Sequence, residues 1–368
     1  MKITHCIAPV NFGGGERITL ILSLALRELD TESQFLLLCR SPEFEKKLSQ
    51  HGFSVLTLAN QTIGDSPSKF DYLRILIFSS LAFLKKIKDV CQFFSKNQII
   101  CAHGFPSNVL AVLLRWIFKQ PALYVNHSKK GMMNKIARLI YKNIFSRFDS
   151  IVSVGPLAHH SFVGEFPELM DKAIQINNGV QISECDGLNL GVPQKERPLR
   201  AIYVARFSPV KNHDFLIEVI RRIPNINLTC VGDGTTLPEF REKIAKYALD
   251  NRIKLLGFLS PESIVSQYQR HDVCLFPSKL EGFGMGIVEA FSCGLPVVLF
   301  DDVMDKSFEG LALAAIDETA FVTHVTDLVE NRIYVASLQQ KVLKERKRFD
   351  IHVTAAAYQV VFNRILGL

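Results

Sequence analysis

Short apolar runs alternate with amphipathic stretches along nearly the whole chain. In the first half the runs fall at residues 3–8, 35–39, 54–58, 99–102, 123–126, 151–154 and 173–176. In the second half they fall at 200–205, 228–231, 253–256, 273–276, 297–299 and 311–315. Most are apolar throughout rather than alternating, as expected of parallel strands covered on both faces. The segments between them have helical periodicity, including a long one over residues 71–94 and the final stretch from Thr319 to Leu368. The pattern predicts an α/β protein built from βα repeats in two series. Between the series lie Asn177-Asn178-Gly179 and a polar stretch with glycine and proline up to Pro198, which predicts a linker. The expected organisation is a Rossmann-like domain over 1–178, a linker over 179–198, a second Rossmann-like domain over 199–349 and a last helix over 350–368.

A chain of 368 residues exceeds one typical core and suits two domains. Its eight cysteines form no CxxC pair and mostly sit in apolar runs, which predicts reduced core thiols and no zinc site. No run reaches the ~18 apolar residues of a membrane span. The first ten residues lack a signal-peptide pattern, so the expected location is the cytoplasm. The net charge of +7 is uneven: between Lys69 and Arg147 fourteen Lys/Arg face only Asp71 and Asp89. Clusters such as Lys85-Lys86-Ile87-Lys88 and Lys129-Lys130 lie among aromatics that include Phe83 and Trp116. Such a patch suits a solvated helix face or peripheral contact with an anionic membrane. No nucleic-acid motif accompanies it, and nucleic acid is not an expected partner.

The densest chemistry lies in residues 274–299, CLFPSKLEGFGMGIVEAFSCGLPVVL. Glu281 and Glu289 bracket a turn containing Gly282, Phe283, Gly284 and Gly286. Backbone amides at a helix start can meet an anion, and the carboxylates can accept hydrogen bonds from hydroxyls. Phosphate donors beside hydroxyl acceptors point to a nucleotide-sugar. A second glycine turn, Gly13-Gly14-Gly15-Glu16-Arg17, follows the first run and leads into a helix predicted over 18–29. It does not meet the GxGxxG fingerprint, and no acidic residue ends the next strand at Cys39-Arg40, which argues against a nicotinamide site. Arg206 and Lys211 flank a proline-bearing loop and can direct two cations at one diphosphate. Gly232-Asp233-Gly234 is another strand-end turn. His103 and His127 end two strands, whereas His5, His159, His160, His213 and His271 have no comparable positional argument.

In this order, Gly13 to Arg17, Arg206 with Lys211, Val231-Gly232-Asp233-Gly234 and Glu281 to Glu289 resemble a retaining glycosyltransferase of family 4. The resemblance implies a GT-B fold, two Rossmann-like domains facing a cleft, with the last helix returning to the first domain. It implies that Glu289 holds the donor ribose, and that Arg206 and Lys211 hold the diphosphate near Gly232. Glu281 and the backbone of Gly282, Phe283 and Gly284 would meet the transferred sugar. Gly14 and Gly15 would lie near phosphates and acceptor, His127 would contact the donor sugar, and His103 and His127 would sit on the acceptor side. The catalytic set is then His127, Glu281, Arg206 and Lys211, with no cofactor, no metal and no side-chain nucleophile. The partners are a nucleotide-sugar donor and a lipid-linked or saccharide acceptor, in synthesis of bacterial surface polysaccharide. Asp301 to Lys306 replace the usual second glycine turn beside the donor base, which leaves base selectivity open. The rival readings are a nucleotide-sugar epimerase and a catalytically silent sugar-nucleotide-binding scaffold. The first-domain loops 60–70 and 127–135 are the expected acceptor determinants.

Overall fold

The structure, a computed structural model, describes residues 1–9, 13–63, 69–94, 98–127, 134–182 and 196–368. Most of the linker, Asn11 and Phe12, the Lys129-Lys130 pair and parts of both expected acceptor loops lie outside the described residues. The chain forms two compact units, residues 1–179 with 351–368, and residues 180–350.

The first unit contains β1 (Lys2–Ile7), α1 (Gly14–Glu28), β2 (Glu32–Leu37), α2 (Pro42–Gln50), β3 (Ser54–Thr57), α3 (Lys69–Lys85), α4 (Ile87–Phe93) and β4 (Gln98–His103). It continues with α5 (Ser107–Phe118), β5 (Ala122–Asn126), α6 (Lys135–Phe145), β6 (Ser150–Ser153), α7 (Pro156–Glu165) and β7 (Ala173–Gln175). Its sheet runs β3-β2-β1-β4-β5-β6-β7 with every neighbouring pair parallel. The strands bury both faces: one carries Cys6, Leu36, Ile100, Ala102 and Tyr124 toward the larger apolar cluster, the other Ile7, Phe35 and Leu37 toward a smaller one with Phe44, Leu48 and Phe53.

The second unit contains β8 (Leu199–Val204), α8 (His213–Arg222), β9 (Ile226–Val231), α9 (Leu237–Lys246), β10 (Ile253–Leu255) and α10 (Pro261–Gln269). After these come β11 (Val273–Phe276), α11 (Met285–Ser292), β12 (Val297–Phe300), β13 (Ala312–Ala315), α12 (Glu318–Glu330) and α13 (Arg332–Glu345). Its parallel sheet runs β10-β9-β8-β11-β12-β13. Val180 and Asp350, at the two ends of this unit, form a parallel bridge. The last helix, α14 (Ile351–Leu366), belongs to the first unit, where Thr354 donates to the carbonyl of Asn177 at 2.9 Å and His352 meets Glu28 at 3.0 Å.

Two helices differ from the pattern-based expectation. The stretch 71–94 is not one helix: it is interrupted at Lys86, whose ammonium donates to the carbonyl of Thr57 at the end of β3 at 2.6 Å. The first helix starts at Gly14 rather than residue 18, because Glu16 folds back to accept from the Gly13 N–H at 3.1 Å and Arg17 N–H donates to the Gly13 carbonyl at 3.0 Å. Glycine is a poor helix former, so apolar periodicity alone placed the start too late.

Each sheet reverses its strand order once, between β1 and β4 in the first unit and between β8 and β11 in the second. Open parallel sheets bind ligands outside the carboxyl ends of the strands at such a reversal.

Candidate active site

At the carboxyl edge of the second sheet, four strand-end loops, those after β8, β9, β10 and β11, are joined backbone to backbone. Phe207 N–H donates to the Asp233 carbonyl at 2.9 Å, Gly232 N–H to the Gly257 carbonyl at 2.8 Å, and Lys279 N–H to the Val210 carbonyl at 2.9 Å. Gly232 is required by this joint: its φ is +138°, and an added Cβ would stand 2.0 Å from the Ala205 carbonyl oxygen. Beneath the Arg206–Lys211 loop, the ring of His213 stacks on Phe207 at 3.8 Å between centroids. Burial pushes His213 down to about 3, so the pillar is neutral at neutral pH. The hydroxyl of Tyr203 donates to the Lys211 carbonyl at 2.9 Å and anchors the loop's far end.

Lys211 Nζ donates to Glu281 Oε1 at 2.5 Å, with the side chains 23% and 11% exposed. The loops after β8 and β11 thus bring together a cation and a carboxylate seventy residues apart in sequence. Arg206 is exposed on the same loop as Lys211. Gly284 takes a left-handed φ of +84° and caps α11, which carries partly buried Glu289 one turn further on. The Phe283 ring turns inward onto Phe308, so this residue can offer a ligand only its backbone. Gly286 faces the protein: an added Cβ would lie 3.1 Å from the Phe276 ring and 3.2 Å from the Val204 carbonyl oxygen. Its absent side chain serves helix-to-sheet packing rather than ligand approach.

The reversal of the first sheet has a different chemistry. Gly14 and Gly15 open α1 as exposed residues, and an added Cβ on either meets nothing within 4 Å. At the same reversal three histidines are hydrogen-bonded in series. His5 Nδ1 lies 3.0 Å from His103 Nε2, and His103 Nδ1 lies 2.9 Å from His127 Nε2. Burial pushes His5 down to about 3 and His127 to about 4, and burial also holds His103 well below its usual range. All three are neutral at neutral pH. Both ring nitrogens of His103 are engaged within the series.

Among the described residues one group of side chains has metal-ligand proximity, His5, Cys101 and His103. Their chemistry does not favour a metal, since the two imidazoles are bonded to each other and burial holds the Cys101 thiol strongly protonated.

Sequence reasoning named Glu281 and Lys211 separately and missed their pairing. It also gave no role to His5, which lies two residues before the end of β1 whereas His103 ends β4. The signal becomes readable only once β1 and β4 are known to be neighbours.

Residues 191–348 match the family described as Glycosyl transferases group 1. The uncharacterized glycosyltransferase MJ1178 of Methanocaldococcus jannaschii is 24% identical over 87% of this chain and 92% of its own length. The O-antigen biosynthesis glycosyltransferase WclY of Escherichia coli is 22% identical over 77% of this chain and 83% of its own. Among solved structures, Anabaena HepE in complex with UDP-glucose superposes with a TM-score of 0.77 at 20% identity, covering 99% of this chain and 100% of that one. The two parallel-sheet units are therefore those of a GT-B fold, and the chain is a glycosyltransferase whose residues 191–348 match group 1.

Proposed function

We propose that the protein is a retaining hexosyltransferase of family 4, moving a sugar from a nucleoside diphosphate donor to a lipid-linked or saccharide acceptor in surface-polysaccharide synthesis. The observation that carries this reading is the Lys211–Glu281 pair at the sheet reversal, on the loops that also present Arg206 and the Gly282–Gly284 backbone. In the paired state the two charges neutralise each other. A donor diphosphate draws Lys211 away, and Glu281 is then released to accept hydrogen bonds from sugar hydroxyls. Arg206 and Lys211 stabilise the charge that develops on the departing diphosphate. Glu289 takes the ribose hydroxyls, the Gly232 backbone lies near the diphosphate beside the β8 loop, and His127 takes a sugar hydroxyl. Gly14 and Gly15 leave backbone open to phosphate or acceptor. A departing phosphate oxygen accepts the acceptor proton on the same face, so no side-chain nucleophile, metal or cofactor enters the reaction. UDP-glucose bound to HepE and the O-antigen role of WclY support a sugar-nucleotide donor and a polysaccharide product.

The same proposal includes peripheral contact with an anionic membrane through the segment between Lys69 and Arg147. Trp116 and Ile136 are 79% and 75% exposed, and α3, α5 and α6 show further exposed apolar residues beside Lys119 and Lys135. Among the described residues no helix is long and apolar enough to cross a membrane.

The test of the reaction is stereochemical. The protein is incubated with UDP-glucose, GDP-mannose, ADP-glucose and dTDP-glucose, and the released or transferred sugar is followed by proton NMR. Product first appearing with the donor's anomeric configuration supports the reading. The opposite anomer would rule out a retaining enzyme, and a sugar interconverted without leaving its nucleotide would identify an epimerase.

A further inference from the structure

The three histidines climb the first sheet diagonally. His5 pairs in register with Cys101, and His103 follows two residues later on β4. His103 in turn pairs with Val125, and His127 follows two residues later. Side chains two apart on a strand share a face, so the rings form a staircase from mid-sheet to the carboxyl edge. Phe35 stacks on His5 at 5.1 Å and closes the lower end, where Ser23 of α1 also meets the series.

The hydrogen bonds have only one consistent direction. A neutral imidazole has one N–H and one bare nitrogen. The Ser23 hydroxyl lies 2.8 Å from the Thr19 carbonyl oxygen, which can only accept, so the serine proton is used there. Ser23 Oγ therefore accepts from His5 Nε2–H across 3.2 Å. The bare Nδ1 of His5 then accepts from His103 Nε2–H, and the bare Nδ1 of His103 accepts from His127 Nε2–H. One bare nitrogen is left at the end, Nδ1 of His127. Among the described residues no carboxylate is bonded to any of the three rings, so nothing in the series opposes this order.

We propose that His5 and His103 are positioning residues, and that with Ser23 they lock His127 in the Nε2–H tautomer so that its Nδ1 accepts a hydrogen bond from a sugar hydroxyl. The proposal rests on the reading that His127 meets the donor sugar. It explains why buried histidines form this series at all: apolar residues would fill the space, but only a ring with two nitrogens passes a tautomer from one strand to the next. The device gives a neutral acceptor with a fixed lone pair, which selects a hydroxyl without attracting phosphate.

The experiment is long-range proton–nitrogen NMR on the full chain labelled with 15N-histidine, with signals assigned by substitution. The expected spectrum has His5, His103 and His127 all protonated at Nε2, with scalar coupling across both N–H···N bonds. His5→Phe keeps the stacking on Phe35 and removes the acceptor. It should leave His103 and His127 as mixed tautomers and lower kcat/KM for sugar-nucleotide hydrolysis about tenfold, the worth of one hydrogen bond. His5→Asn places an amide oxygen where Nδ1 was and should recover most of that loss. Ser23→Ala is the second probe should His5→Phe not fold, and it too should mix the tautomers. The donors assayed are UDP-glucose, GDP-mannose, ADP-glucose and dTDP-glucose. Nδ1–H on His127 in the unsubstituted protein would overturn the relay while leaving the donor site intact. Unmixed tautomers in His5→Phe or Ser23→Ala would do the same. Undiminished turnover in His127→Ala would instead overturn the sugar contact and the purpose of the relay with it.

Discussion

The carboxyl edges of the two sheets share a topology and differ in how they handle charge. At the first, between β1 and β4, the side chains in series are three neutral histidines with no hydrogen-bonded carboxylate among the described residues. At the second, between β8 and β11, a lysine and a glutamate meet beside an exposed arginine. The glycines differ in the same sense: those at α1 have open space around them, whereas Gly232 is pressed against backbone. A parallel-sheet reversal thus fixes where a ligand is met without fixing the chemistry that meets it. Under the proposed function, the first edge reads hydroxyls and the second manages phosphate charge.

The largest expected effect that separates the edges is acid sensitivity. His5 and His127 titrate near pH 6.5 when unfolded and at about 3 and about 4 when folded, with His103 depressed in the same direction. Between these values the unfolded chain binds more protons, so the stability from neutral burial is full above about pH 6.5 and is lost as pH falls toward 4 and below. The slope approaches ~1.4 kcal/mol per pH unit for each group. Urea unfolding from pH 7 to 5 should show the first unit weakening more than the second, which has only His213 in this class among its resolved strong shifts. His5→Asn should reduce the slope, and a flat profile would break the contrast.

Next in size is Gly232→Ala. The left-handed φ and the clash with the Ala205 carbonyl should cost the second unit about 3 kcal/mol or more, read as a shifted denaturant midpoint. Gly14→Ala meets no atom and should leave stability unchanged or raise it by ~0.5–1 kcal/mol. A turnover loss in Gly14→Ala without a stability loss would show that a ligand uses that space; full turnover would remove Gly14 from the site.

Glu281→Gln sharpens the electrostatic side of the comparison. Lys211 loses its partner, and kcat/KM should fall about a hundredfold while the melting temperature moves only a few degrees. A drop confined to stability would reduce the pair to a structural tie. The smallest effect is expected at the surface: Trp116→Ser with Ile136→Ser should weaken flotation with phosphatidylglycerol vesicles about tenfold and leave donor hydrolysis unchanged. No binding by the unsubstituted protein would remove the membrane from the account.

The strands were legible because a buried parallel strand is written in consecutive residues. Each apolar run, from 3–8 to 311–315, coincides with an observed strand to within a few residues. Helix limits were less legible where a side chain set them, as Glu16 does at Gly13 and Lys86 does against Thr57. The glycine turns and Glu281 stood out because their density is local. The Lys211–Glu281 bond and the His5–His103–His127 series did not, because each joins loops or strands brought together only by sheet order. Gly286 shows the opposite failure, a conspicuous local motif residue whose reason is packing on Phe276 and the end of β8.

The central claim is that the second unit holds a nucleoside diphosphate sugar through Glu289 and the Arg206–Lys211 loop. The most direct test is thermal unfolding of the purified protein with UDP-, GDP-, ADP- and dTDP-sugars in the absence of metal, repeated with Glu289→Gln. The account predicts stabilisation by one nucleotide class in the unsubstituted protein and its loss in the variant. Absence of stabilisation by every sugar nucleotide and by free UDP and GDP, or equal stabilisation of Glu289→Gln, would contradict it.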